Sequence, residues 1–104
     1  MGSGGGAYLS NILGISNQIS SSSSSCCSGS EAIIDSYYKI KMGLADRMVA
    51  GGTEAYSIPI WSMFDAARVT NKRYNDSPKK ASRPMSQSAK GFVFSSGALS
   101  LIHI

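Results

Sequence analysis

Two thiols sit side by side at Cys26 and Cys27, directly behind the serine run Ser20–Ser25 and just ahead of Ser28 and Gly29. A cysteine can act as a nucleophile, a metal ligand, half of a disulfide or a small inert hydrophobe. Sequence neighbours close almost no loop, and a bridge between them would strain the intervening peptide, so this pair cannot staple a fold. Reduced thiols are therefore expected, and with them a cytoplasmic location. A closed zinc site wants about four ligands at motif spacing. The chain offers two thiols and one histidine, His103, so no metal is expected. What remains is a nucleophile or an inert packing residue, and spacing alone favours the second.

The surroundings narrow the function classes further. Ten Lys and Arg against six Asp and Glu give a net charge of +4, which favours acidic partners. The basic residues Lys72, Arg73, Lys79, Lys80, Arg83 and Lys90 all fall in the second half, with only Tyr74 as an aromatic among them. A nucleic-acid surface would interleave more stacking side chains, so that partner is not expected. No apolar run approaches the ~18 residues of a membrane span, and "MGSGGGAYLSNILGI" lacks the basic start of a signal sequence. Gly2 follows Met1 as in a myristoylation start, but Gly6 stands where Ser or Thr is required. With 104 residues, 42% hydrophobic and 15% charged, the chain reads as one small globular domain.

The elements that would position the thiols can be read from periodicity. Ala7, Tyr8, Leu9, Ile12 and Leu13 suggest a short amphipathic helix closed by Gly14. The segment Gln18–Ser25 has little side-chain bulk; it suits either a strand approached closely by other backbone or a flexible linker, and composition favours the linker. After it, Ala32, Ile33, Tyr37, Ile40 and Leu44 form one stripe of a helix of about four turns, with Gly43 as its stop. Glu31 and Asp35 precede Lys39 and Lys41 along it, the order the helix dipole favours. "DRMVAGGTEA" then reads as a buried strand. Strand, helix, strand predicts a βαβ unit with a parallel sheet, an α/β fold. A further helix is expected around Trp61–Val69, entered after Pro59. From Thr70 to Lys90 the chain is polar and turn-rich, an ordered surface excursion, and "GFVFSSGALSLIHI" suggests a hairpin. It stops at Ile104 inside an apolar run, as a fragment would.

In this order the features resemble the β-ketoacyl-acyl-carrier-protein synthases of fatty-acid elongation, members of the thiolase-like superfamily. The family pattern T/S-A-C-x-x-G has its counterpart in Ser24-Ser25-Cys26-Cys27-Ser28-Gly29. Its G-x-A-D-x-M-x-A-G-G-x-E segment is matched from Gly43 to Glu54. Phe64, Ala66 and Arg68, then "YNDSPKKASRP" from Tyr74 to Pro84, Gly91-Phe92 and Gly97-Ala98 follow collinearly. Two departures stand out: Ala89-Lys90 where an arginine-aspartate pair is common, and Ser95-Ser96 within a loop that is usually glycine-rich and acidic.

The resemblance implies a thiolase-like α/β fold, of which this chain would be a single partial domain, the latter part of the first of two similar halves. The glycine three residues past the nucleophile selects Cys26 as acyl acceptor and leaves Cys27 as a packing residue. It further implies that Phe64 lines the acyl pocket and that Arg68 contacts the acidic acyl carrier protein, with Lys72 and Arg73 extending that patch. The serines become a strand through the core. No cofactor is implied, because substrates arrive on the carrier's phosphopantetheine, and the whole enzyme is expected to be a homodimer. Histidines needed for decarboxylation would come from the other half, so the fragment alone is expected to be inactive. His103 matches no motif. Two other readings stay open: a non-catalytic partner subunit that shapes chain length, which usually lacks the cysteine, and a small interaction protein with a serine linker.

Overall fold

The computed structural model describes residues 4–103, and the His103 side chain and Gly2 lie outside the described residues. The elements in chain order are helix α1 (Gly4–Leu13), a 3-10 turn (Ser25–Cys27), helix α2 (Ser28–Lys41), strand β1 (Met48–Glu54), helix α3 (Ile58–Ala66), a second 3-10 turn (Pro78–Lys80) and strand β2 (Gly97–His103). They form two compact units, one running to Thr53 and resuming at Ala98, the other spanning Glu54–Gly97. Among the described residues no helix is long and apolar enough to cross a membrane.

In the first unit α1 ends where expected, at Gly14, whose φ of +66° suits glycine. Its apolar side chains Tyr8, Leu9, Ile12 and Leu13 are exposed rather than packed. Helix α2 carries the predicted acid-to-base order, with Glu31 in its first turn and Lys39 and Lys41 in its last, and Gly43 follows its end with a φ of +73°. Lys39 reaches back 2.6 Å to Asp35 one turn earlier. The face it covers overlaps the predicted one only in part. Ile33, Tyr37 and Leu44 are exposed, whereas Ser36 is buried and Ala32 and Ile40 half-buried. The physical reason lies at the glycines: a Cβ added at Gly52 would stand 3.5 Å from the Gly29 Cα, so helix and strand backbones meet directly. That approach seats α2 on its small side chains and turns the bulky ones outward.

Strand β1 is covered only around its middle: Ala50 is buried and Met48 and Gly51 half-buried, whereas Val49 and residues 52–54 are exposed, so the expected buried strand is only partly so. It pairs with β2 in a two-stranded sheet. The two backbones crowd at Gly51, where a Cβ would fall 2.1 Å from the Leu99 carbonyl oxygen. Two expectations fail here. The serine run forms no strand among the described residues, so no βαβ unit starts from it, and the C-terminal stretch is not a hairpin because β2 pairs with β1. Serines have no apolar face to specify a register, and their hydroxyls find partners on α2 instead.

In the second unit, α3 opens with Pro59 in its first turn and is nine residues long. It closes in a Schellman arrangement: the Arg68 N–H donates to the Asp65 carbonyl at 2.9 Å and the Val69 N–H to the Phe64 carbonyl at 3.4 Å. An aromatic cluster packs beside it, with Trp61 stacked on Phe94 at 5.8 Å and Tyr56 edge-on to Trp61 at 4.5 Å. The basic excursion is ordered, as expected. Asn71 ties it down, its N–H donating to the Phe92 carbonyl and its Nδ2 to the Ala81 carbonyl, both at 2.9 Å. Arg83 donates through Nη1 to the Tyr74 hydroxyl at 3.1 Å and to Ser88 Oγ at 2.8 Å.

Candidate active site

Cys26 occupies the middle of the 3-10 turn that runs straight into α2. The turn is closed by the Cys27 N–H donating to the Ser24 carbonyl at 3.1 Å and by the Ser28 N–H donating to the Ser25 carbonyl. Ser25, immediately ahead of the thiol, has a φ of +53°. A serine in that region carries on the order of 1–3 kcal/mol of strain, and such residues cluster at functional sites. The expected strand end is thus replaced by a strained turn, which performs the same task of presenting one residue at a helix start. Among the described residues the Cys26 N–H has no hydrogen-bond acceptor, as befits a position ahead of the first helical bonds.

The turn is held in place by side chains. The Ser24 N–H donates to Ser28 Oγ at 2.9 Å, and Ser28 Oγ donates to the Ser25 carbonyl at 2.8 Å. Ser22 Oγ donates to Glu31 Oε2 at 2.6 Å, and Ser24 Oγ donates to the same oxygen. These bonds, Ser22's first and Ser24's second, hold the Glu31 carboxyl below the usual glutamate range. Lys39 Nζ reaches Ser20 Oγ at 3.5 Å. The serine run is therefore laced to α2 one hydroxyl at a time, and the linker reading does not describe it. Sequence reasoning placed Glu31 only as a charge favourable to the dipole and missed it as the acceptor for two serines.

Both thiols are exposed, and Cys26 lines a cavity that Cys27 does not. Cys26, Gly29 and Ile33 form one wall and Gly51, Gly52 and Leu99 the other of an open cleft of about 270 Å³. The glycines of "AGGTE" and of the C-x-x-G pattern thus meet the thiol in one place. No group of three or more His, Cys, Asp or Glu suited to a metal occurs among the described residues.

Phe64 and Arg68, the other two residues singled out by sequence, belong to the second unit with three residues between them. The Phe64 ring is half-buried and packs on Phe94 at 5.2 Å and Phe92 at 6.1 Å. Beside this cluster Trp61, Asn71, Tyr74, Phe92 and Phe94 line a second cavity of about 270 Å³. Arg68 is exposed and takes a φ of +60° at the left-handed position that ends α3. Of its expected companions, Lys72 forms an ion pair with Asp65 at 3.0 Å. The Thr70 hydroxyl first, and Lys72 second, hold the Asp65 carboxyl below its usual range. In the same unit the Tyr74 hydroxyl is lowered, chiefly by the Arg83 bond and then by Ser88.

The turn that offers Cys26 to a glycine-walled cleft, at the start of a helix seated on a glycine-bearing strand, belongs to a thiolase-like α/β fold. The solved structure of a beta-ketoacyl synthase from Burkholderia phymatum superposes with a TM-score of 0.83 at 36% identity, covering 92% of this chain and 23% of that one. The family described as beta-ketoacyl synthase, N-terminal domain, matches residues 1–103. The chain belongs to this family. Among named relatives it is similar to a putative mitochondrial 3-oxoacyl-[acyl-carrier-protein] synthase of Schizosaccharomyces pombe, 35% identical over 91% of the chain and 22% of the relative. It is 37% identical to 3-oxoacyl-[acyl-carrier-protein] synthase 1 of Buchnera aphidicola over 98% of the chain and 25% of the relative. To the chloroplastic 3-oxoacyl-[acyl-carrier-protein] synthase I of Arabidopsis thaliana it is 40% identical over 90% of the chain and 20% of the relative. The chain thus spans a quarter or less of the length of these relatives.

Proposed function

We propose that this chain is the nucleophile-bearing part of a 3-oxoacyl-acyl-carrier-protein synthase, the latter part of that enzyme's first half, with Cys26 as the acyl acceptor. The observation that carries this is the strained Ser25 turn, which sets Cys26 rather than Cys27 on the wall of the glycine-lined cavity. In the reaction the Cys26 sulfur attacks the carbonyl of an acyl thioester on acyl carrier protein, and the phosphopantetheine thiol leaves with a proton. The unpaired Cys26 N–H is suited to receive the oxyanion of that step, a contribution of about 3 kcal/mol per donor in other enzymes. A malonyl carrier then loses carbon dioxide, and its carbanion displaces Cys26 from the acyl group. Groups for the decarboxylation are expected outside this chain.

The same reading assigns Phe64 to the acyl-pocket wall and Arg68, with Arg73, to the acidic carrier protein. It calls for no resident cofactor, a homodimer of the whole enzyme and a cytoplasmic location. The interaction-protein reading is disfavoured by a family match that runs through the serines. The non-catalytic-subunit reading is disfavoured by Cys26 itself. The test is incubation with a short-chain acyl-pantetheine thioester followed by peptide mass spectrometry. The acyl group is expected on Cys26, lost in Cys26→Ser and kept in Cys27→Ser. Acylation centred on Cys27 would overturn the assignment.

A further inference from the structure

Ser28 is an unspecified position inside the C-x-x-G pattern, yet its side chain grips the backbone on the far side of the thiol. Its Oγ accepts the Ser24 N–H at 2.9 Å and donates to the Ser25 carbonyl at 2.8 Å, and its own N–H donates to that same carbonyl. One half-buried residue thus joins both ends of the Ser24–Ser25 segment. The backbone bond that closes the turn does not by itself explain the shape of this segment. A turn closed by the Cys27 N–H on the Ser24 carbonyl is equally satisfied with its second residue at a φ of about −60°. Ser25 stands instead at +53°. A left-handed serine persists only where its surroundings over-determine it, and the Ser28 hydroxyl supplies that hold.

We propose that Ser28 is a positioning residue for the acylation of Cys26: by fixing the Ser25–Cys26 peptide it directs the Cys26 N–H toward the oxyanion of that step. The proposal rests on the reading of Cys26 as acyl acceptor. Its link is the planarity of one peptide. The Ser25 carbonyl and the Cys26 N–H belong to the same trans unit and point in opposite directions. Holding the carbonyl toward Ser28 therefore turns the N–H away from α2, out of the helix start. The flanking chain cannot absorb a change here, because Ser22 and Ser24 are bonded to Glu31 upstream and Cys27 runs into α2 downstream. With both flanks tied to one helix, a shift of Ser25 to the right-handed region is compensated by rotation of the Ser25–Cys26 peptide, and the N–H rotates with it. When the Cys26 sulfur bonds to the thioester carbon, the carbonyl electron pair moves onto oxygen. Collapse returns that pair, breaks the bond to the pantetheine sulfur and sends the proton out with it. Negative charge on oxygen develops only on the way through this step, so a misdirected N–H slows the chemistry and leaves substrate binding intact.

The experiment measures acylation of the full chain by a short-chain acyl-pantetheine thioester across substrate concentration, beside alkylation by iodoacetamide. In alkylation the sulfur displaces iodide and no oxyanion develops; peptide mass spectrometry separates Cys26 from Cys27. Ser28→Ala is expected to lose about 10- to 100-fold in maximal acylation rate, with the half-saturating concentration and the Cys26 alkylation rate unchanged. Ser28→Thr, which keeps the hydroxyl, is expected to recover the rate. The Ser24 amide is expected to be protected from hydrogen exchange in wild type and to lose that protection in Ser28→Ala. Acylation of Ser28→Ala as fast as wild type, or a fall shared equally by alkylation, would overturn the proposal. An unprotected Ser24 amide in wild type would do the same, and this readout stands even if Ser28→Ala does not fold. Absence of Cys26 acylation in wild type overturns the acyl-acceptor reading and this one with it, whereas wild-type acylation without the Ser28→Ala defect overturns this one alone.

Discussion

Replacing Arg68 with glycine separates the backbone cost of that residue from the use of its charge. Its φ of +60° places it where glycine normally ends a helix, and the Arg68 and Val69 amide bonds to Asp65 and Phe64 require that conformation. For an L-residue the left-handed region costs roughly 1–2 kcal/mol. Glycine avoids this but loses about 0.5–1 kcal/mol more backbone entropy on folding. The difference leaves Arg68→Gly more stable by about 0.5–1 kcal/mol. Arg68→Ala keeps the strain and loses the charge, so its stability should match wild type. Urea titration is a direct assay, because Trp61 is the chain's single tryptophan and packs between Tyr56 and Phe94 within the same unit. A higher midpoint with an unchanged slope is expected for glycine alone. If carrier protein docks on the charge, both variants bind it equally poorly in a titration at low salt. A glycine midpoint at or below that of alanine would refute the strain argument, whatever binding does.

Other positions yield sharper structural outcomes. Gly91→Ala forces a side chain into a φ of +116° with its Cβ 2.5 Å from the Val69 carbonyl oxygen. It should break the Phe92 pairing with Val69 and Asn71 and cost upward of about 1–3 kcal/mol in the same urea assay. Gly51→Ala and Gly52→Ala form a pair: the first places a Cβ 2.1 Å from the Leu99 oxygen, the second only 3.5 Å from the Gly29 Cα. Thermal unfolding should therefore show a large loss for Gly51→Ala and a small change for Gly52→Ala. The Glu31 tether should depend on pH. Folding lowers this carboxyl's pKa, so the tether is complete above the unfolded value near 4.3 and fades as pH falls through the folded value below it. An NMR titration of the Ser22 and Ser24 resonances should show that acid transition, and Glu31→Gln should abolish it.

What was legible in the sequence follows from what each signal depends on. Helices α2 and α3 and strand β1 are set by local chemistry: charge order along α2, Gly43 after its end, Pro59 at the start of α3, and small residues in "AGGTE". The face of α2 was read only in part, Ala32 and Ile40 rightly and Ile33 and Tyr37 wrongly, because periodicity counts apolar residues, whereas the seat is decided by how close two backbones come. Gly29 against Gly52 permits an approach that Ile33 or Tyr37 would prevent. The serine run was unreadable for a related reason. As a linker, its hydroxyls would face water, and as a strand its amides would need a ladder; in fact its hydroxyls bond to Glu31, and no pattern of serines foretells a partner seven and nine residues ahead. The two cysteines pose the same problem at its smallest scale. Composition cannot tell Cys26 from Cys27, and the C-x-x-G spacing distinguishes them only through the family it resembles. In the structure the difference is conformational: Ser25 turns left-handed, and the 3-10 turn that follows directs Cys26 to the cavity and leaves Cys27 off its wall. On the function proposed above, the chemistry of the site depends on a backbone angle at a residue that carries none of that chemistry itself.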